Sequence, residues 1–168
     1  SLLSPEDIAR IGKPLMFANI VFQKILRINA SSPFLVNFTS KMVFPEAIHI
    51  EEHSDSSSVY MSIAASYGVY IQAYNGIEIG KGSLIGPGVK IISSNHSEKN
   101  MSLQENADPV IIGQNVWIAA NVVICPGVTI GSNSVVGAGS IVTKSIPENS
   151  ICAGNPAKII RKRVVPSS

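Results

Sequence analysis

The sequence predicts an all-β solenoid of hexapeptide repeats, with a helical segment before it and one loop extruded from its middle. Three observations favour this fold. An aliphatic residue returns every sixth position from Ile112 to Val142, the polar segment 97–110 interrupts that period, and the first residues follow helical spacing. Neither an α-helix nor an ordinary alternating strand has a period of six.

Each six-residue unit, or hexad, is expected to form one short strand and one corner. Positions one and five point inward, whereas Gly, Asn and Pro collect between them, where a chain turns. Three hexads then close a triangular coil of about 18 residues, roughly 4.8 Å from the next. The first positions are Ile112, Ile118, Ile124, Ile130, Val136 and Val142. The fifth positions are Val116, Val122, Val128, Ser134, Ser140 and Ile146.

An earlier set of hexads, with Ile79, Ile85 and Ile91 at first positions, is out of phase with the later set. The polar residues 97–110 between the two sets must therefore leave the coil, and Asn95 takes the inward fifth position just before them. We interpret this segment as an active-site loop, because insertions in solenoids usually lie beside the binding face. A merely solvated excursion is the alternative.

The N-terminal residues indicate helices. Ser4 and Pro5 resemble a helix start, and Pro14 is expected to kink or end the first helix. A second helical stretch runs from residue 17 to 28, whereas residues 58–72 look strand-like. We divide the chain into a helical or irregular segment 1–46, a β-helix 47–153 and a basic tail 154–168.

Composition excludes several classes of protein. Two cysteines, Cys125 and Cys152, are too few for a disulfide framework, and a net charge of +2 does not indicate a nucleic-acid-binding protein. No apolar stretch reaches transmembrane length and no cleavable leader is visible, so we expect a cytoplasmic protein without membrane insertion. Basic residues at the C-terminus indicate a local anion site: Lys158, Arg161, Lys162 and Arg163.

Three motifs resemble the hexapeptide-repeat acyltransferases: "NH" before the loop, "VWIAANVVICPGVTIGSNSVVGAGSIVTKSIP" after it, and "AGNPAKIIRKR" at the end. The likeness is to the branch that O-acetylates sugars, including maltose and galactoside acetyltransferases and O-acetyltransferases of surface polysaccharides. This resemblance implies a left-handed coil, a homotrimer with active sites between subunits, and acetyl-CoA as donor. From the histidines we expect no metal.

His96 is the candidate catalytic base. A sugar hydroxyl is a poor nucleophile at neutral pH, and an imidazole is the side chain best suited to take its proton. His96 lies at a corner where the repeat breaks, and it matches the catalytic histidine of the family. A surface histidine without function is the alternative. His49 and His53 have a spacing that suits zinc on a helix, but their segment reads as a strand.

The resemblance also implies a binding site for the donor. Ala120 and Ala138, one coil apart, would line a shallow groove next to the imidazole, and the Ala120 N–H would contact the thioester carbonyl. Simple turn chemistry explains two alanines equally well. By the same resemblance, the coenzyme would contact Ala120, Ala138, Thr143, Lys144, Lys158 and Arg161.

The candidate acceptor-binding residues are Asn75, Asn95 and Trp117. Trp117 is expected to point outward, stacked over Val135 and Ala153, where packing between subunits is the alternative to a site role. Asn75 is first a turn residue and second an acceptor contact.

The predicted function is acetyl-CoA-dependent O-acetylation of a sugar hydroxyl, on a surface polysaccharide or its precursor, by direct transfer. Three alternatives stay open. They are N-acetylation of an amino sugar, a γ-class carbonic anhydrase-like metal protein, and a solenoid that serves as a scaffold.

Overall fold

The computed structural model of the chain describes residues 5–51 and 57–164, so Ser4 and His53 lie outside the described residues. Within these ranges, fourteen short strands form three sheets. The strands are β1 Lys41–Val43, β2 Ile48–Ile50, β3 Tyr70–Gln72, β4 Ile77–Ile79, β5 Leu84–Ile85, β6 Lys90–Ile92, β7 Val110–Ile112, β8 Trp117–Ile118, β9 Val123–Ile124, β10 Thr129–Ile130, β11 Val135–Val136, β12 Ile141–Val142, β13 Ser150–Gly154 and β14 Ala157–Lys162.

The chain visits the three sheets in turn. Sheet 1 has the order β1-β3-β6-β9-β12, sheet 2 the order β2-β4-β7-β10, and sheet 3 the order β5-β8-β11-β13-β14. The neighbouring strands are parallel, except that β13 and β14 are antiparallel. We call one passage through the sheets a coil, and name each corner by the two sheets it joins: 1–2, 2–3 or 3–1.

The predicted inward residues form the core. The six first positions from Ile112 to Val142 are at most 1% exposed, and the six fifth positions from Val116 to Ile146 are at most 5% exposed. The aliphatic column therefore lies inside the three sheets, as the hexad pattern predicts. Burying each of the aliphatic side chains in this column stabilises the fold by roughly 1.5–3 kcal/mol before entropy is counted.

The 18-residue spacing is less general than predicted. It holds where Trp117 pairs with Val135, but Val135 then pairs with Ile151, only 16 residues later. The column on the outer face of sheet 3 therefore continues from Trp117 to Ile151, and the prediction of Ala153 in that column is wrong.

The corner after β12 causes this shortening. Only residues 143–145 separate Val142 from Ile146, and Ile146 pairs with Ile130, which is a first position. Ile146 is therefore inward, as predicted, but at the first position of the next hexad and not at a fifth position.

The N-terminal helices break earlier than predicted. Helix α1 spans Pro5–Ile11, helix α2 spans Lys13–Ile20, and a π-helical turn, Val21–Ile25, continues α2. The break is at Gly12, whose φ of 88° suits glycine, and not at Pro14. Pro14 lies in the first turn of α2, where a proline removes no helical hydrogen bond.

Helix α3, Ser57–Ala65, replaces the strand-like structure expected for residues 58–65. It occupies the place of a sheet 3 strand in the first coil, since β2 and β3 flank it in the chain. The Ser62 hydroxyl accepts a hydrogen bond from the N–H of Ile85 at 3.1 Å, and the Ser66 hydroxyl donates one to the Ile85 carbonyl at 2.8 Å. Two serines one helical turn apart thus satisfy the peptide groups at the edge of sheet 3.

The expected segment boundaries do not coincide with the ends of the sheets. β1 lies within segment 1–46 and pairs with β3, and a short 3₁₀ helix, Pro45–Ala47, leads from it to β2. β14 lies within the basic tail 154–168 and forms a hairpin with β13. None of the helices in the described ranges is long and apolar enough to cross a bilayer.

Candidate functional site

A closed loop, residues 93–109, projects from corner 1–2 in the third coil. The N–H of Glu105 donates to the Asn95 carbonyl at 2.8 Å, and the N–H of Ser97 donates to the Leu103 carbonyl at 2.9 Å. The sequence predicted an inward Asn95, but this side chain is exposed. The buried residues here are Ser93 and Ser94, and the chain has already left the coil at Asn95.

His96 is exposed at the entrance of this loop. It forms an antiparallel bridge with Gln104 across the loop, and Gln104 Nε2 lies 3.4 Å from His96 Nε2. The structure thus places the predicted base where an external hydroxyl can reach it.

A chain of amides connects the His96 bridge to the coil. Gln72 Oε1 accepts hydrogen bonds from the N–H groups of Ser93 and Ser94, each at 3.2 Å. Gln72 Nε2 lies 3.5 Å from Gln104 Oε1, so the amide that faces His96 is itself oriented from sheet 1. The sequence analysis missed Gln72 and Gln104, although a glutamine at the end of an apolar strand is a visible signal for Gln72.

Asn75 fastens both ends of the loop. Its Nδ2 donates to the Ser93 carbonyl at 2.8 Å and to the Glu105 carbonyl at 2.9 Å, and its N–H donates to the Ser93 hydroxyl at 2.9 Å. Its amide nitrogen is committed to the loop. A contact between Asn75 and an acceptor therefore has to use Oδ1.

Four of the residues expected to bind the donor lie at two different corners. Ala120 and Ala138 stack at corner 3–1, where the Gly139 N–H donates to the Ala120 carbonyl at 2.9 Å. Thr143 and Lys144 are exposed at corner 1–2, the corner that carries His96. The prediction that the imidazole lies next to the alanine groove is therefore wrong for one chain, because sheet 1 separates the two corners.

The alanine corner offers backbone donors. Within the described part of the chain, the N–H groups of Ala120 and Ala138 donate no hydrogen bond to a protein acceptor. These groups are available to acceptor oxygens of an extended ligand.

The C-terminal basic residues divide into two sets. Lys158 and Arg161 are exposed on β14, the edge strand of sheet 3. Arg163 instead donates to the carbonyls of Asn115 at 3.4 Å and Asn133 at 3.2 Å. Arg163 thus holds the chain directly after β14 against corner 2–3.

Trp117 is 53% exposed on the outer face of sheet 3, as the sequence predicts. It lines a cavity of about 420 Å³ together with Asn115, Asn133 and Arg163. This cavity opens at corner 2–3 and not at the corner that carries His96.

An exposed aromatic pair also lies at corner 1–2. The rings of Phe44 and Tyr74 meet edge to face with centroids 5.5 Å apart, and each side chain is more than 40% exposed. Phe44 has a φ of 56°, which is unfavourable for a bulky side chain and typical of functional sites. The sequence contained no signal for this pair, because the two rings belong to different coils.

The two thiols differ in exposure. Cys152 is fully buried, and Cys125 is partly buried at corner 1–2. Burial raises the pKa of the Cys125 thiol and of the Cys152 thiol.

His49 lies on the outer face of sheet 2, where it pairs with Glu78 and not with another histidine. Across residues 5–51 and 57–164, no three histidine, cysteine or acidic side chains cluster as metal ligands would.

Comparison with known proteins identifies the family. Residues 109–144 match the bacterial transferase hexapeptide family, which has six repeats. A Dictyostelium discoideum protein named as a presumed acetyltransferase is 36% identical over 137 residues, which are 79% of this chain and 72% of that protein. The galactoside O-acetyltransferase of Escherichia coli is 49% identical over 90 residues, 51% of this chain and 44% of the enzyme.

A solved structure agrees with these relatives along most of the chain. The structure of a galactoside acetyltransferase in complex with coenzyme A superposes with a TM-score of 0.60 at 32% identity and covers 94% of this chain and 81% of its own. The chain spans less than half the length of most of the first curated relatives it matches. Together with the stacked hexads, these similarities show that the chain belongs to the hexapeptide-repeat acyltransferase family, in the branch that resembles the galactoside and maltose acetyltransferases.

Proposed function

We propose that this protein transfers the acetyl group of acetyl-CoA to a hydroxyl of a sugar, with His96 as the general base. The acceptor belongs to a surface polysaccharide or its precursor, and the protein acts in the cytoplasm. The observation that carries the proposal is the position of His96, exposed at a loop entrance and oriented by a chain of amides from the coil.

The proposed assembly is a homotrimer of left-handed β-helices. Family membership supports this handedness and assembly, and the division of the site residues between two corners gives a physical reason for it. In a cyclic trimer, corner 1–2 of one subunit meets a different corner of its neighbour. The neighbour's Ala120 and Ala138 would then lie opposite His96 and complete the site.

The donor fits this interface. Thr143 and Lys144 lie two coils beyond the base of the His96 loop, roughly 10 Å along the axis at about 4.8 Å per coil. Lys144 and Lys158 supply point charges and Arg161 a planar fork for phosphate groups. The acetyl end would reach back along the alanine corner towards His96.

In the proposed reaction, His96 takes the proton of the acceptor hydroxyl as its oxygen attacks the thioester carbonyl carbon. A C–O bond forms, the C–S bond breaks, and the proton passes from His96 to the departing thiolate of coenzyme A. The free N–H of Ala120 donates to the carbonyl oxygen as negative charge develops there.

The acceptor would approach His96 from the end of corner 1–2 that is opposite to the coenzyme. Along this corner the coils carry Phe44, Tyr74, the His96 loop and Lys144, in that order. The aromatic pair therefore lies on the side of His96 away from Lys144. Trp117, which faces corner 2–3, lines the site only if the neighbouring subunit brings it there.

The primary test is acetyl transfer from acetyl-CoA to a panel of neutral sugars and amino sugars, followed by thiol release. We expect turnover with neutral sugars. A strong preference for amines would replace O-acetylation by N-acetylation. Full activity that disappears with a metal chelator would favour the metal-protein alternative. No turnover, together with no thermal stabilisation by coenzyme A, would favour a scaffold.

Subunit complementation tests the shared site. A His96→Ala chain and an Ala138→Trp chain are each expected to be inactive, the second because an indole fills the groove. If each site takes one corner from each of two subunits, random mixed trimers regain about a quarter of wild-type activity. If one chain held the whole site, mixing would restore nothing.

A further inference from the structure

Helix α2 and its π-helical continuation bury two amide side chains and expose apolar ones. Asn19 and Gln23 are at most 3% exposed, whereas Phe17 is 70% exposed and Ile20 is 43% exposed. A helix that is apolar on its exposed side normally lies against something else.

The buried amides prevent the helix from rotating about its axis to bury its apolar face. Asn19 Nδ2 donates to the Ala64 carbonyl at 2.9 Å, and its Oδ1 accepts from the Phe38 N–H at 2.9 Å. Gln23 Nε2 donates to the Phe34 carbonyl at 2.9 Å, and its Oε1 accepts from the Val36 N–H at 3.0 Å. These bonds fix the polar face against the protein. The outward apolar face is therefore part of the folded state.

The exposed apolar residues form one surface, which we call the helix patch. Phe17 and Ile20 lie on α2, and the chain directly after them presents Ile25, Leu26 and Ile28, each at least 42% exposed. Lys13 and Lys24 are exposed on the same face, four residues from Phe17 and Ile20 respectively. Their long aliphatic stems can lie along the patch while the ammonium groups reach outward.

The chain segment that carries the helix patch has charges of one sign. Residues 8–45 contain no acidic side chain, and their basic residues are Arg10, Lys13, Lys24, Arg27 and Lys41. A two-fold contact, in which the patches of two copies face each other, would bring like charges together. A layer of anionic headgroups over an apolar interior offers the opposite charge and a place for the apolar side chains.

We propose that the helix patch binds the surface of an anionic phospholipid bilayer. The chain would lie on the surface with Phe17 and Ile25 at the boundary between headgroups and acyl chains and with Lys13, Lys24 and Arg27 at the headgroups. This inference does not depend on acetyl transfer. If both hold, the enzyme works beside acceptors that a membrane carries.

Vesicle sedimentation of the full chain tests the proposal, without acetyl-CoA or sugar. We expect binding to vesicles of phosphatidylglycerol and phosphatidylcholine, weaker binding at high salt, and little binding to phosphatidylcholine alone. Phe17→Ser with Ile25→Ser, and Lys13→Glu with Lys24→Glu, should each weaken binding at least tenfold. The matched controls Met101→Ser and Lys99→Glu, exposed in the loop 93–109, should bind as the wild type does.

Two results would overturn the inference. One is no binding to the anionic vesicles, or equal binding by the patch variants. The other is a fall in the mass of the free protein, measured by light scattering, when Phe17 and Ile25 are replaced, since the patch would then be a contact between subunits. Acetyl transfer to a soluble sugar should be unchanged in the patch variants, so the two proposals fail independently.

Discussion

Asn75 Nδ2 and the Glu105 carbonyl oxygen lie 2.9 Å apart, a hydrogen bond that joins the second coil to the far end of the loop that carries His96. The same nitrogen donates to the Ser93 carbonyl at the near end of the loop. One side chain therefore sets the width of the loop base, and with it the position of the imidazole above corner 1–2.

Asn75→Asp should loosen this loop and leave the coils intact. The aspartate keeps the shape of the side chain but loses both donated hydrogen bonds, each contributing about 0.5–1.5 kcal/mol. We expect the Ser97 and Leu103 amides to exchange hydrogen at least several-fold faster and kcat to fall, with coenzyme binding unchanged. Asn115→Asp, at corner 2–3, is the matched control. Unchanged exchange in the loop would show that Asn75 does not hold it.

His96→Gln should abolish transfer but leave coenzyme binding intact. Removal of a general base costs roughly two to four orders of magnitude in kcat. Coenzyme affinity, measured by calorimetry, should match the wild type, because His96 is not among the residues proposed to hold the coenzyme. Retained turnover would remove His96 from the mechanism.

Gln104→Ala tests whether Gln104 acts by positioning the imidazole of His96. Its amide contacts the imidazole at 3.4 Å and is not expected to touch the acceptor. We expect a lower kcat with an unchanged KM and partial rescue by Gln104→Asn. An equal loss in the His96→Gln background would show that Gln104 acts independently of the histidine.

The hexads predicted the core well, because an inward aliphatic side chain at a fixed spacing is a local property. Ile118 and Ile130 are buried where the period places them. The period of six placed the next first position after Val142 two residues beyond Ile146, where the structure has it. The aliphatic pattern does not indicate the length of an individual corner. Helix α3 was missed because only the four-residue spacing of Val59 and Ile63 distinguishes it from a strand.

The sequence predicted individual site residues, but it did not predict how these residues are arranged relative to one another. His96 is marked by the break in the repeat, but Asn75, Gln72 and Gln104 reach the loop through contacts between different coils. The division of Ala120 and Lys144 between two corners follows from the three-sided path of the chain. A linear reading placed both residues along one groove.

Lys144→Ala should weaken coenzyme binding. An exposed lysine that contacts a phosphate contributes through charge, so the loss should shrink as salt rises. We expect a smaller increase in Tm with saturating coenzyme A than for the wild type. Lys81→Ala, at corner 2–3, is the control and should keep the full increase. If coenzyme A raised the Tm of both variants equally, Lys144 would not contact the phosphates.

Cys125→Ala should retain transfer within about twofold. Cys125 lies at the same corner as His96, but burial raises the pKa of its thiol and so lowers the thiolate fraction at neutral pH. Iodoacetamide should therefore modify it more slowly in the folded chain than in urea, with the difference narrowing as the pH rises. An acetylated Cys125 peptide trapped during turnover would contradict direct transfer.

Ser62→Ala should destabilise the fold by about 1–3 kcal/mol, because the variant leaves the N–H of Ile85 buried without its acceptor. Ser66→Ala removes the donor to the Ile85 carbonyl and should cost less, since a carbonyl tolerates lost partners better than an N–H. Urea unfolding would measure both, with Ser102→Ala, exposed in the loop, as a control expected within about 0.5 kcal/mol of the wild type. If helix α3 substitutes for a strand at the edge of sheet 3, the Ile85 amide should also exchange hydrogen faster in Ser62→Ala than in the wild type, while the Ile118 amide keeps its protection. An unchanged exchange rate at Ile85 would mean that the edge of sheet 3 does not depend on the helix.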